Sequence, residues 1–566
     1  MKDPAERRRA IEARHPVWAS LTIAGLQDRA AADFPERPLV VTADRVLSYA
    51  DVQAESRRIA SGLIAAGLHP GEHVALIMAN FPEFVPVKLA IARAGGVCVP
   101  VNFLLRSQEL AYVLDQSDSR FLIAMDAFRG HDYLADIASI RSGLPELHSL
   151  FALPTGEACS RAAPSLRDLA DMANPQSGAE LARREAVADG QAISDIIYTS
   201  GTTGRPKGVL LTHDMVLRAA YSSALTRSFE DGRRIQYAMP MYHVFGYVEC
   251  FIASLFVGGA IVPHPVFEPE QMLDWAERLE TTDLVCVPLM TRRLIELARE
   301  RGFHAPSLLA VFNSGGVNPP EIWAEIREVL GAKEIHTGYG MSETTASTVC
   351  THTEDGDARL IESNGREKLA GVAGDPELGG RVAIYRVADP QTGAPLPCNT
   401  DGELQARGPI VTAGYYHKPE ETLAAFTPDG WLRTGDVGRL SEDGYLTLTG
   451  RIKESFRCGG EMVMPREIEL LFEGYPGIAQ ALVVGVPDGK MGEVGCLCVV
   501  AGEGGRPDDR ELIDHCVRRL ARFKVPRHVL WLEAGDIPLT VTGRPQKFRL
   551  AKLAIHKIEE REDNVH

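Results

Sequence analysis

Several features are missing from this 566-residue sequence, and each absence excludes a class of protein. No apolar run reaches the roughly 18 residues of a membrane-spanning helix. The N-terminus carries charges at Lys2, Asp3 and Glu6 without an apolar core behind them, so it does not resemble a secretory signal peptide. The ten cysteines form no Cys-x-x-Cys pair and no metal-like spacing with histidine. We therefore expect a cytoplasmic protein with reduced thiols.

An excess of positive charge is also missing. The formal net charge is −16 at pH 7, which argues against non-specific binding to nucleic acid. Residues 451–566 contain 18 Lys and Arg and 18 Asp and Glu, so the whole deficit lies in residues 1–450. A neutral C-terminal segment with local basic clusters suits an anionic ligand better than an acidic segment would.

The length exceeds that of one ordinary domain, and the composition, with 45% hydrophobic and 24% charged residues, is that of a globular protein with a sizeable core. The patterning changes after Gly450. We predict an N-terminal domain over residues 1–450, a hinge at 451–453 and a C-terminal domain over 454–566.

Apolar spacing predicts the main elements. Val74–Met78 is typical of a buried strand, and Phe84–Ala94 has helical spacing. Such alternation predicts an α/β fold with a mostly parallel sheet. Residues 155–191 and 353–377 are polar or rich in small residues, so we expect a surface connection and a long loop there.

The C-terminal part has a different pattern. Residues 380–450 contain short strands between turns, which predicts small antiparallel sheets. Residues 511–524 have helical spacing, and the predicted helix ends before Pro526.

The segment 199–208 reads Thr-Ser-Gly-Thr-Thr-Gly-Arg-Pro-Lys-Gly. Its glycines permit sharp turns that direct backbone N–H groups inward, and its hydroxyls and lysine add donors and charge. It is not a Walker A loop, because a strand-like run follows it instead of a helix. The residues that we expect to bind phosphate are Thr199, Ser200, Gly201, Thr202, Thr203, Gly204 and Lys207.

Nine of these ten positions, all but Arg205, match the phosphate loop of the adenylate-forming enzymes, and the chain resembles an acyl-CoA synthetase of that superfamily from about residue 30 to 555. The resemblance implies a large N-terminal domain of mixed sheets flanked by helices, a small β-barrel-like region and a small mobile α+β C-terminal domain. It also implies ATP, Mg²⁺ and CoA as cofactors. The family joins a carboxylate to AMP, rotates its C-terminal domain and passes the acyl group to a thiol.

Further motifs follow in the family's order. By resemblance, His243 in the segment Met241–Gly246 borders the carboxylate or thiol path. Gly315 and Gly316 belong to a loop along the adenine and the acyl group.

The segment Tyr339-Gly-Met-Ser-Glu343 matches another family motif. The resemblance implies that Tyr339 lies against adenine, that Ser342 contacts the α-phosphate and that Glu343 holds Mg²⁺ on ATP, since a carboxylate facing phosphates requires a metal between them. Two other segments, Gly402–Leu404 and Gly414–Tyr416, also match the family, and we assign no chemical role to them.

The resemblance continues across the predicted hinge. Asp436 and Arg451 correspond to the ribose contacts, and a carboxylate can accept both ribose hydroxyls. Lys453 falls at the hinge position.

A loop that closes on pantetheine is implied at Arg457-Cys-Gly-Gly460, where Gly459 and Gly460 permit the close backbone approach of a narrow thiol channel. Met462 stands where the family often has Asn. Lys524, in the segment 521–526, can meet the CoA nucleotide, or it can simply belong to a solvated helix end.

Arg544 stands where the family carries its catalytic lysine, which bridges the acyl carboxylate and the α-phosphate. A guanidinium is a longer, planar fork that does not replace a compact ammonium. Removing one well-placed charge donor costs about 10²–10³ in rate. Adenylation should therefore be weak or absent, whereas transfer of the acyl group from acyl-AMP to CoA should survive, with a separate ligase supplying the adenylate.

Alternatives stay open at this point. Arg544 can function well enough, or Lys547 can take over, and the chain is then a complete two-step ATP-dependent acyl-CoA synthetase. A third interpretation is a pseudoenzyme that binds nucleotide or acyl-adenylate without turnover. The acyl group cannot be read from the sequence, although Phe245 and Gly246 suggest an apolar, fairly open cavity for a bulky or fatty carboxylate.

Overall fold

The computed structural model describes residues 2–157, 163–199, 205–316, 318–458, 461–502, 504–540 and 544–563. The chain forms two compact units. The N-terminal unit comprises Met1–Gly315, Glu321–Ile384 and Ala406–Leu432, and the C-terminal unit comprises Gly316–Pro320, Tyr385–Gln405 and Arg433–His566. No helix in the described ranges combines the length and apolar character needed to cross a bilayer.

Two large sheets form the N-terminal unit, and both are parallel except at one edge. The strands of the first, in spatial order, are Glu334–His336, Ala310–Asn313, Asp283–Cys286, Arg234–Tyr237, Ala260–Pro263, Pro38–Val41 and Val46–Ser48. Those of the second are Lys207–Thr212, Ile193–Thr199, Val97–Pro100, His73–Ile77, Ser119–Met125 and Ser149–Leu153. Central strands such as His73–Ile77 are continuously apolar because helices cover both faces.

Helices cover these sheets, and two smaller sheets complete the unit. The α-helices are Pro4–Arg14, Ile23–Asp33, Tyr49–Ala65, Phe84–Arg93, Ser107–Gln116, Tyr133–Ile140, Leu166–Asp171, Pro175–Ala186, His213–Thr226, Val244–Gly246, Ala253–Leu255, Pro269–Arg278, Pro288–Arg301, Ile322–Glu325, Asp357–Glu362 and Pro419–Ala425, with π-helices at Tyr247–Ile252 and Ile326–Leu330. The smaller sheets are Gly338–Met341, Ala346–Cys350 and Arg366–Glu367, and Ala127–Phe128 with His131–Asp132.

The C-terminal unit contains two sheets. Most of the first sheet lies within this unit. The first has the order Ile384–Ala388, Gly402–Arg407, Leu432–Leu440 and Leu446–Arg451. The second has the order Glu461–Val463, Phe456–Cys458, Gly492–Ala501 and Ile478–Asp488, and His528–Leu532 pairs in parallel with Gly492–Ala501. The α-helices are Pro465–Glu469, Asp509–Val517 and Lys547–Asp563.

The predicted α/β class is confirmed, as are a large N-terminal and a separate C-terminal part. The boundary at 450–453 stays a prediction. The surface connection predicted over 155–191 is wrong, because that stretch contains the helices Leu166–Asp171 and Pro175–Ala186. Ser165 and Asn174 cap them, and their leucines are buried.

Two other element predictions need correction. The stretch 353–377 is not one long loop, since it contains the helix Asp357–Glu362 and the strand Arg366–Glu367. The helix predicted over 511–524 ends at Val517, and a separate 3₁₀ turn covers Arg522–Lys524. The short elements in 353–377 contain few apolar residues and gave a weak periodic signal, whereas in 511–524 the apolar spacing continues at Leu520 and Phe523, beyond the end of the helix.

Candidate active site

The predicted phosphate loop joins two antiparallel strands, Ile193–Thr199 and Lys207–Thr212. Thr199 and Lys207 are direct register partners, so the two ends of the loop are neighbours. Ser200, Gly201, Thr202, Thr203 and Gly204 lie outside the described residues. The half-buried Lys207 places its ammonium 5.0 Å from the centroid of the Tyr415 ring.

A buried ion pair anchors the first of these strands. Asp195 accepts a charged hydrogen bond from Lys88, and the two side chains are 0% and 2% exposed. Burial opposes the charge on Lys88, but the Asp195 carboxylate raises the pKa of Lys88 above its ordinary value. The pair therefore fixes the strand that leads into the phosphate loop.

The adenine motif forms a hairpin with the strand after it. Gly338–Met341 pairs with Ala346–Cys350, and a 3₁₀ turn at Ser342–Thr344 connects them. Tyr339, Ser342 and Glu343 are all buried. Tyr339 thus lies on the first strand of this hairpin, and Ser342 and Glu343 lie on its turn.

Thr345, directly after that turn, has a φ of +66°. A β-branched residue rarely adopts this left-handed conformation, and such strain is concentrated at functional sites. The Thr345 hydroxyl donates to the Ile410 carbonyl oxygen at 2.7 Å, and the Thr412 N–H donates to the Glu343 carbonyl oxygen at 2.8 Å. These bonds tie both sides of the turn to the segment 410–416.

Tyr415 connects two of the predicted ligands and is a residue that the sequence analysis missed. Its hydroxyl donates to Glu343 Oε1 at 3.0 Å, while its ring lies beside the Lys207 ammonium. Burial, and then the Glu343 carboxylate, raise the pKa of Tyr415, so the hydroxyl keeps its proton. The matching segment Gly414–Tyr416 was an available signal, but nothing in sequence shows which side chain the hydroxyl meets.

His243 is partly buried, and desolvation lowers its pKa to about 4. Its Nδ1 accepts the Phe245 N–H at 3.3 Å. Since a backbone N–H can only donate, Nδ1 is unprotonated and the neutral ring carries its hydrogen on Nε2. His243 therefore offers a hydrogen-bond donor instead of a positive charge.

The glycine loop lies beside this segment. A Cβ atom on Gly315, whose φ is +88°, would be 3.3 Å from Val287 and 3.9 Å from the Phe245 ring. Phe245 also packs edge-to-face on Phe312, with ring centroids 5.4 Å apart. This part of the N-terminal unit is apolar. Gly316 is exposed and belongs to the C-terminal unit.

Within the C-terminal unit, Asp436 and Arg451 are register partners on neighbouring strands. Arg451 Nε lies 2.6 Å from the carboxylate of Asp436. The Asp436 side chain is 4% exposed, whereas that of Arg451 is 37% exposed. The two predicted ribose ligands thus occur together, and their role stays a prediction.

The predicted CoA and hinge residues are more exposed. Lys453 lies on the 3₁₀ turn Ile452–Glu454, and the backbone N–H of Arg457 donates to Glu493 at 3.0 Å. Gly459 and Gly460 lie outside the described residues. Lys524 forms an ion pair with both oxygens of Glu467, each at 2.7 Å.

Arg544 and Lys547 occupy different environments. Arg544 is 42% exposed, with Nη2 3.8 Å from Glu454. Lys547 is only 11% exposed, and its Nζ lies 2.7 Å from Glu469 and 3.4 Å from Glu454. Glu469 also accepts the backbone N–H of Val483 at 2.7 Å. Lys547 is therefore the counter-charge of a buried carboxylate in the C-terminal unit.

No cluster of three or more potential metal ligands from His, Cys, Asp and Glu occurs in the residues that the structure covers. That Glu343 holds Mg²⁺ stays a prediction, and a single carboxylate would need phosphate oxygens as the other ligands. The carboxylate oxygens of Glu343, one of which accepts a hydrogen bond from the Tyr415 hydroxyl, are ligands of the kind that this hard cation prefers.

Comparison with known proteins identifies related families and structures. Residues 27–416 match the AMP-binding enzyme family, and residues 467–544 match the AMP-binding enzyme C-terminal domain. YngI of Bacillus subtilis is 33% identical over 94% of this chain and 97% of its own length. A feruloyl-CoA synthase of Amycolatopsis is 31% identical, with coverage of 91% and 96%. The structure of ATP-bound MatB from Rhodopseudomonas palustris is 28% identical and superposes with a TM-score of 0.79, with coverage of 94% and 99%.

Proposed function

We propose that this chain, which belongs to the AMP-binding enzyme family and is an acyl-CoA ligase of the adenylate-forming superfamily, transfers an acyl group from acyl-AMP to CoA and adenylates its acid poorly or not at all. The observation that carries the proposal is Arg544, an exposed guanidinium at the position of the family's catalytic lysine. Its planar fork cannot sit as an ammonium does between the acyl carboxylate and the α-phosphate.

The position of Lys547 supports this proposal. The sequence left open that Lys547 replaces the missing lysine, but its ammonium neutralises Glu469, whose side chain is 5% exposed. Moving it into an active site would leave a buried carboxylate without its partner, which typically costs about 3–5 kcal/mol. Lys547 is therefore a poor substitute.

Thioesterification requires different groups. In the family's second step the rotated C-terminal domain presents the glycine loop at 457–460, and the segment that contains Arg544 is away from the reaction. The CoA thiol loses its proton to water, its sulfur attacks the acyl carbonyl to form the C–S bond, and AMP leaves with the electrons of the acyl C–O bond. Asp436 and Arg451 would hold the ribose, and the neutral His243 would donate a hydrogen bond from Nε2.

One specific observation favours the complete two-step synthetase as a second candidate. Lys207, Tyr415 and Glu343 form a connected set at the predicted ATP phosphate site. A chain that never binds ATP has no obvious use for this arrangement. With that function, Arg544 itself would contact the α-phosphate.

The acyl group is proposed to be a bulky apolar carboxylate. The support is the apolar surroundings of Gly315, formed by Val287, Phe245 and Phe312. A ferulate-like aromatic acid, suggested by the name of the Amycolatopsis relative, and a medium-chain fatty acid are the first two to compare.

A separate adenylating ligase would then supply the acyl-AMP. We further propose a role like that of the non-adenylating acyl-CoA ligase of the platensimycin and platencin pathway, which shares the loss of the adenylation step. Such a role would belong to natural product biosynthesis.

The test separates the two half-reactions. Wild-type protein is given acid, ATP and Mg²⁺ while pyrophosphate is measured, and in parallel it is given synthetic acyl-AMP and CoA. We expect acyl-CoA in the second assay and little pyrophosphate in the first. Arg544→Lys should raise pyrophosphate release by about 10²-fold, the effect of restoring one charge donor.

Arg549→Lys is the matched control, because it makes the same exchange on an exposed residue five positions along the chain. It should change neither assay. Rapid pyrophosphate release by the wild-type protein would overturn the half-reaction proposal and favour the two-step synthetase.

A further inference from the structure

Glu249 is a fully buried carboxylate in a rare type of helix. It lies on the π-helix Tyr247–Ile252, which directly follows the His243 segment. Single π-helical turns are uncommon and occur frequently at functional sites, since they rotate the following side chains relative to an ordinary α-helix. None of the motifs in the sequence includes Glu249.

The Glu249 carboxylate is saturated with donors from three other segments. Oε1 accepts the Ser347 N–H at 3.0 Å, the Ser347 hydroxyl, and the Lys368 ammonium at 2.8 Å. Oε2 accepts the Ser223 hydroxyl at 2.6 Å and lies 3.5 Å from Arg227. Burial alone would raise the pKa of Glu249, but Lys368 and Arg227 lower it to about 2, so the group is ionised.

Ser347 connects this carboxylate to the adenine motif. It lies on the strand Ala346–Cys350, and its register partner is Gly340, the residue after Tyr339. The two strands approach so closely here that a Cβ atom on Gly340 would be 2.4 Å from the Ser347 Cα. A displacement of Ser347 is therefore transmitted directly to the backbone between Tyr339 and Met341.

We propose that Glu249 is a positioning residue, with Lys368 as its counter-charge, that fixes the hairpin 338–350 relative to the His243 segment. The acyl half of the adenylate would bind along the His243 segment and the AMP half along the hairpin. Glu249 keeps these two segments aligned because it accepts hydrogen bonds from both the main-chain N–H and the hydroxyl of Ser347. The inference rests on the acyl-CoA ligase function alone and does not depend on whether adenylation is lost.

AMP affinity, measured by titration calorimetry, tests the inference without turnover. Glu249→Gln keeps the shape of the side chain and removes its charge. We expect it to weaken AMP binding by about tenfold, within the usual range of coupling between linked sites. Hydrogen exchange of the peptide covering 338–350 should accelerate at the same time, because the Ser347 N–H loses its charged acceptor.

The milder variant Ser347→Ala removes one hydroxyl and leaves the ion pair intact. It should weaken AMP binding about threefold, and it decides the question if Glu249→Gln does not fold. Arg93→Met is the control for general destabilisation, since Arg93 is also buried and paired, with Asp28 and Glu185, away from the hairpin. Its AMP affinity should stay within about twofold of wild type.

Unchanged AMP affinity in folded Glu249→Gln, or in Ser347→Ala, would overturn the inference. Equal weakening in Arg93→Met would do the same, because it would show a general stability effect. The pyrophosphate assay with wild-type protein reads the proposed half-reaction separately, so either idea can fail while the other stands.

Discussion

The predicted site residues of the two units differ in burial and in the nature of their partners. In the N-terminal unit, Tyr339, Ser342 and Glu343 are buried and His243 is partly buried, and His243 and Glu343 form hydrogen bonds with neighbouring residues. In the C-terminal unit, the predicted cationic residues are at least partly exposed: Arg451 pairs with the buried Asp436, whereas Lys524 and Arg544 lie near the more exposed Glu467 and Glu454. The predicted ligands of the N-terminal unit are thus held in place, whereas Lys524 and Arg544 can exchange partners at low energetic cost.

The largest expected difference between the units concerns stability. Lys88→Met should lower the free energy of unfolding by about 3–5 kcal/mol, because Asp195 is left buried without its counter-charge. Lys524→Met in the C-terminal unit should lower it by only about 0–1 kcal/mol, because its partner Glu467 is 43% exposed. Urea unfolding at pH 7 measures both. Similar losses would contradict the contrast between the units.

A second, smaller effect depends on pH. The pKa of His243 is about 4 when folded and near the ordinary 6.5 when unfolded, so only the unfolded chain gains a proton between these values. His243 therefore does not lower the free energy of unfolding above pH 6.5, but it lowers this free energy progressively as the pH falls from 6.5 towards 4. From pH 6.5 to pH 5 we expect His243 to account for about 2 kcal/mol of the loss.

The variant His243→Asn, which keeps an acceptor for the Phe245 N–H, should remove that part of the pH dependence. The exposed His556→Asn in the C-terminal unit serves as control and should leave the urea midpoints at both pH values unchanged. An identical pH dependence in His243→Asn and wild type would show that His243 does not titrate as described.

The smallest expected effect tests the link between Lys207 and Glu343. Tyr415→Phe removes the hydroxyl that donates to Glu343 and should weaken binding of ATP with Mg²⁺ about fivefold, corresponding to one lost hydrogen bond. Tyr416→Phe is a close control, because that hydroxyl donates to Asp118 instead. Calorimetric titration with MgATP should leave the control unchanged, and equal effects would remove the special role of Tyr415.

Local patterns predicted a large part of this molecule. The continuous apolar run at Val74–Met78 indicated the buried strand that the structure has at His73–Ile77, and the strand-like run after the predicted phosphate loop is the strand Lys207–Thr212. The motif that contains Tyr339, Ser342 and Glu343 forms one strand and the turn after it. Such features depend on residues close together in the chain, where spacing carries the information.

Contacts between distant residues could not be predicted. The Tyr415 hydroxyl meets Glu343 across 72 positions, and Lys88 meets Asp195 across 107. The sequence did not indicate the strained backbone at Thr345 either, since threonine is not a residue expected at positive φ. These features depend on how the sheets and loops pack, which a single sequence does not specify.

Under the proposed half-reaction function, the placement of Lys547 limits how this ligase could regain ATP-driven activation of its acid. Moving the Lys547 ammonium into an active site would leave the buried Glu469 carboxylate without its counter-charge. Such a change would be selected against before any catalytic gain appeared. An exchange at position 544 alters a side chain that is 42% exposed. Variants that regain adenylation, in nature or in laboratory evolution, should therefore repeatedly carry lysine at position 544 and retain Lys547.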